Sequence, residues 1–93
     1  MRLIKLSGRE IAVLRAIETQ GNTGAELHER TQISPPDLAD ILNGMCDVGY
    51  VEAYVGDSLV PSMEPVKSSQ VMVTRFEVNP SYAQELKRAI AHR

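Results

Sequence analysis

At 93 residues, 43% hydrophobic and 24% charged, the chain has the composition of one ordinary globular domain rather than of a disordered segment. A single cysteine, Cys46, excludes an internal disulfide, and the start of the chain, Met1 to Leu6, is too short and too charged for a secretory apolar region. No apolar run approaches the ~18 residues that would span a bilayer, so a cytoplasmic protein with no membrane partner is expected. The formal charge of −2 is unevenly spread: residues 31–66 carry Asp37, Asp40, Asp47, Glu52, Asp57 and Glu64 and no Lys or Arg.

The first helix is predicted over about 8–20. Ser7 and Glu10 have capping-box spacing, Leu6 and Ile11 stand where a hydrophobic staple needs them, and Ile11, Leu14 and Ile17 recur at helical spacing. Gly21 is the natural left-handed stop. Thr23 and Glu26 form a second capping box, which predicts a short helix over 24–31 anchored by Leu27. Ser34-Pro35-Pro36-Asp37 opens a third helix over about 35–48. Pro35 occupies the first helical position, and Leu38, Ile41, Leu42, Met45 and Val48 follow the 3.6-residue period. Gly44 within it either permits close packing or leaves the outer face bare.

Alternation and β-branched content predict strands over 50–55 and 71–78, separated by a long loop holding Val60, Met63 and Val66. The alternation puts Tyr54, Val71 and Val73 on the outer face of this ribbon. Asn79-Pro80 caps a last helix over about 80–91, with Tyr82, Leu86 and Ile90 as its apolar stripe. That stripe can close the domain's own core or pair two copies. Without Trp and with one Phe, the core must be aliphatic, and Cys46, followed by Asp47, reads as a small buried hydrophobe.

Three helices, a β-hairpin and a terminal helix make a single α+β domain over 1–93. The pairs Glu26-Leu27 and Ile33-Ser34 and the run Gly49-Tyr50-Val51-Glu52, with Phe76 to Pro80 leading into the last helix, resemble the winged-helix (winged helix-turn-helix) domains of small MarR-like transcriptional regulators. Thr31, Gln32 and the base-poor third helix depart from that pattern. The resemblance implies a three-helix core, a two-stranded β-hairpin wing and a third helix that enters the major groove of double-stranded DNA. Its outward residues would be Pro35, Pro36, Asp37, Ala39, Asp40, Asn43 and Gly44. Asn43 can contact adenine and Asp40 can accept from a cytosine amine. Ser34 and the first helical amides can hold a phosphate, and Lys67, Arg75 and Arg30 are the cations expected near this side.

Chemistry pulls the other way, because phosphate affinity comes from Lys and Arg and this segment has neither. Two readings therefore stand. One is a DNA-binding transcriptional regulator, a homodimer if its terminal helices pair. The other is a winged helix that has lost DNA binding and recognises a protein. The candidate contacts in either case are Ser34, Pro36, Asp37, Asp40, Asn43, Lys67 and Arg75. Asp37 also reads as a capping carboxylate, and Lys67 as a solubilising charge. His28 and His92 are far apart, and no metal-ligand spacing, phosphate loop or nucleophile motif is present, so no cofactor, metal site or catalytic residue is expected.

Overall fold

The computed structural model describes residues 5–17, 21–60 and 65–91. Expectations for residues 18–20, for Met63 and Glu64 in the long loop, and for His92 lie outside the described residues. Helix α1 (Gly8–Ala16) is followed by strand β1 (Asn22–Thr23), helices α2 (Gly24–Thr31) and α3 (Pro35–Asp47), and strands β2 (Val51–Val55) and β3 (Ser58–Leu59). One-turn helix α4 (Ser68–Val71), strand β4 (Arg75–Val78), a 3-10 turn (Pro80–Tyr82) and helix α5 (Ala83–Ala91) complete the described chain. This is an α+β fold. Its four strands form one antiparallel sheet in the order β1-β4-β2-β3.

Both capping boxes form. Ser7 Oγ accepts from the Glu10 amide while Glu10 accepts from the Ser7 amide, and Thr23 and Glu26 do the same for α2. Hydrogen bonds from Thr23, backbone first, hold the Glu26 carboxyl below its usual pKa. Helix α1 ends at Ala16 rather than near residue 20, because Ile17 turns to extended backbone and buries its side chain. Arg30 reaches back from α2 to donate to the Ala16 carbonyl at 2.8 Å, satisfying one acceptor that the helix end leaves open.

The core is aliphatic apart from Phe76. Val13, Leu27, Leu38, Leu42, Met45, Val71 and Phe76 are completely buried, and α5 closes the cluster with Leu86. Ile90 packs against the same cluster and Tyr82 meets Tyr50 edge-on at 5.2 Å, so the terminal stripe is used within the domain.

The strand expected over 71–78 begins only at Arg75. Val71 is the buried anchor of α4, and Val73 is 76% exposed in the turn that follows, so neither joins Tyr54 on the sheet's outer face. Tertiary demand overrides β-propensity here. The amides of Gly24 and Ala25, unpaired at the start of α2, donate to the carbonyls of Thr74 and Met72 at 2.9 and 3.1 Å. Those carbonyls are available only because the chain turns before entering β4. The approach is close enough that a Cβ on Gly24 would lie 1.9 Å from the Val71 carbonyl oxygen.

The two-stranded ribbon also proves larger than expected. Asn22 and Thr23 pair with Phe76 and Arg75, which adds β1 at one edge. At the other, β2 turns through Gly56 (φ +62°) and Asp57 into β3, the two-residue connection that suits a hairpin. Val66 is buried and Val60 packs against the core, so these two loop residues pack on their own domain.

Candidate functional site

Helix α3 carries most of the candidate contacts, and its neighbours decide which remain available. Ten residues separate Asp37 from Asp47, about 15 Å at ~1.5 Å rise per residue. At ~100° per residue, Asp37, Asp40, Gly44, Asp47 and Val48 fall within about 100° of arc. All five are exposed, and the only charges among them are carboxylates. Nothing lies within 4 Å of a Cβ built on Gly44, so this glycine leaves the outer face bare.

The adjacent face is covered. Ala39 is buried, and Asn43 is only half-buried because the segment leading into α4 lies across it. The Asn43 amide donates to the Val66 carbonyl and its oxygen accepts from the Val66 N–H, both at 2.8 Å. These two bonds occupy the groups that would otherwise read the edge of an adenine, so Asn43 and Ala39 leave the set of outward residues. Lys67 follows Val66 directly and is exposed beside α3.

At the other end of α3, Ser34 makes no side-chain capping bond, and Pro35 and Pro36 remove two of the four amides a helix start can offer an anion. Asp37, read also as a capping carboxylate, instead meets Arg9 of α1 at 3.6 Å. Both side chains are more than half exposed, so the pair contributes on the order of 0–1 kcal/mol. Pro36 and Asp40 are exposed.

Arg75 belongs to another surface. The sheet's outer face carries a row across four strands, Thr23, Arg75, Tyr54 and Leu59. Beside it Glu52 stands opposite Glu77, a like-charge pair that is unfavourable on neighbouring strands. Arg75 relieves it by pairing with Glu77, and its guanidinium lies 4.8 Å over the Tyr54 ring. Burial and the nearby Glu52 and Glu77 lift the Tyr54 phenol above its ordinary pKa, against the influence of Arg75.

Between the C-terminal end of α3, the β2–β3 hairpin and the Pro65-Val66 segment lies a groove of about 690 Å³. Val48 and Leu59, 54% and 53% exposed, flank it, and Val51, Ala53, Val60 and Cys46 line its floor. Asp47 and Glu52 stand among the lining residues, with no cation in salt-bridge range among the described residues. Burial, with a smaller push from Glu52, raises the Cys46 thiol to about 11. The thiol is therefore neutral at ordinary pH.

His28 is half-buried and donates from Nδ1 to the Ile33 carbonyl at 2.7 Å, bracing the turn between α2 and α3. Among the described residues no group of His, Cys, Asp and Glu has the arrangement to hold a metal ion, and no helix is long and apolar enough to cross a membrane. Compared with protein-family models, curated proteins and solved structures, the chain matches none.

Proposed function

We propose that this chain is a non-catalytic winged-helix module that recognises a protein through α3. The order α1-β1-α2-α3-β2, with β4 returning between β1 and β2, supports the winged-helix reading, in which residues 56–60 and 65–74 belong to an elaborated wing. Fold alone does not choose the partner.

The observation that carries the choice is the acid-only exposed stripe of α3, joined to a reading amide, Asn43, that is already bonded to Val66. A polyanion would meet Asp37, Asp40 and Asp47 with no Lys or Arg on α3 to neutralise its phosphates. A protein surface bearing lysine and arginine suits the same stripe.

Two measurements test this. A carbodiimide that couples carboxylates to lysines is expected to link the chain to one stoichiometric protein, and the link is expected to be lost in Asp37→Asn/Asp40→Asn. A mobility-shift assay with mixed-sequence duplex at ~50 mM salt, where phosphate attraction is strong, is expected to show no retardation. Retardation would favour the second reading, a DNA-binding transcriptional regulator, which the winged-helix connectivity and the exposed Lys67 beside α3 support. In that case Lys67→Ala and Arg75→Ala should weaken binding uniformly across sequences, with a salt slope of only about −3 for three phosphate contacts.

A further inference from the structure

The groove at the end of α3 offers a visitor an unusual combination. Its amides are committed: Asn43 to Val66, and Asn79 to the Gly49 carbonyl and the Ser81 amide. Apolar surface remains, flanked by the exposed Val48 and Leu59, together with two carboxylates, Asp47 and Glu52, that have no salt-bridge partner among the described residues. A volume of about 690 Å³ is room for a few side chains. The groove is not an isolated pit, because Gly44 and Asp47 both line it and both belong to the exposed stripe that runs back to Asp40 and Asp37. An occupant that fits the groove and the stripe together is extended, apolar at one point and cationic beside it.

We propose that this groove seats a short basic, amphipathic segment of a partner protein, with an aliphatic side chain between Val48 and Leu59 and Lys or Arg on Asp47 and Glu52. The argument rests on the protein-recognition reading above and adds its location and chemistry. Apolar contact supplies the anchor, while the carboxylates select a cationic segment over an acidic one of the same shape.

The full isotope-labelled chain can be titrated with a synthetic peptide of alternating leucine and lysine, and separately with its leucine–glutamate counterpart, while amide shifts are followed by NMR. The lysine peptide is expected to shift Gly44, Asp47, Val48, Leu59 and Val60 saturably, and the glutamate peptide to leave them unmoved. Asp47→Asn/Glu52→Gln should weaken the lysine peptide about tenfold, and Leu59→Ser alone should weaken it similarly. Both variants alter surface positions, and their spectra report directly whether the fold is intact.

Equal binding of the two peptides would overturn the charge selection. Shifts confined to Asp37 and Asp40 would overturn the groove while leaving protein recognition by α3 in place. No saturable shift at millimolar peptide would overturn the groove outright. A duplex that retards the chain would count against the protein-recognition reading and leave this titration's outcome unaffected, so the two failures are distinguishable.

Discussion

Gln32 caps α2 in the left-handed region at φ 60°, where a side chain costs about 1–2 kcal/mol relative to a right-handed conformation. Its own side chain recovers part of that by donating to the Glu29 carbonyl at 2.7 Å, and its N–H bonds the His28 carbonyl. Gln32→Gly removes the steric conflict and keeps the backbone bond, so it should stabilise the domain by up to about 1 kcal/mol, read as a higher urea midpoint. Cys46 gives a pH-dependent counterpart. Its folded pKa of about 11 lies above the ordinary 9.0, so at pH 8 it should alkylate about a hundredfold more slowly than a free thiol, and unfolding should release it. Its contribution to stability is intact below pH 9.0 and is lost as pH rises through about 11, because the unfolded chain gives up that proton first. Cys46 is half-buried rather than fully buried as expected, and alkylation at the rate of a small-molecule thiol in native buffer would show that position to be wrong.

At the scale of elements, the segment from Pro65 to Thr74 decides what α3 can present. It is tied to α3 by Asn43 and to the start of α2 by the Thr74 and Met72 carbonyls, and it seats Val71 in the core. Gly24 is the point of closest approach. Gly24→Ala puts a methyl group 1.9 Å from the Val71 carbonyl oxygen, and backbone must shift to relieve it. The cost should be about 3 kcal/mol, the upper end of ordinary overpacking. Faster hydrogen exchange at the Gly24 position and at the Ala25 amide should accompany it, and an unchanged urea midpoint would mean that α4 does not dock there. Several of these features could be read in the sequence. Both capping boxes, and the start of α3 at Pro35, follow from residue type and spacing alone. The one-turn α4 could not be read that way, since Val71-Met72-Val73 has strand composition but becomes helix and turn where the Met72 and Thr74 carbonyls meet the start of α2.

For the whole molecule, α5 returns to complete the core. Leu86 is 2% exposed, and the stripe it belongs to packs on Tyr50 and the central cluster. Leu86→Ala should therefore cost about 2–5 kcal/mol, as other large-to-small core changes do, with an unfolding midpoint independent of protein concentration. A concentration-dependent midpoint would instead assign the helix to an interface between copies. Charge is organised on the same scale. Asp37, Asp40 and Asp47 share one exposed side of α3 and Glu52 joins Asp47 at the adjoining groove, while Arg75 is held on the sheet by Glu77 and Tyr54. The cation that a DNA reading needs is thus partly committed elsewhere.

Local order and composition were set by the chain itself: the starts of α1, α2 and α3, the aliphatic core and the stretch from 31 to 66 without a basic residue. These depend on neighbours one to four positions apart or on residue type, so they can be read without coordinates. The last helix, expected from about 80, instead opens as a 3-10 turn and is α-helical only from Ala83. The availability of each polar group was decided only on folding. Asn22 and Thr23 become a strand because β4 lies beside them, and Asn43 loses its outward role because Val66, 23 positions away, takes both of its hydrogen bonds. No local pattern encodes such partners, since the bonds that fix them close long loops and form only when the core brings their ends together.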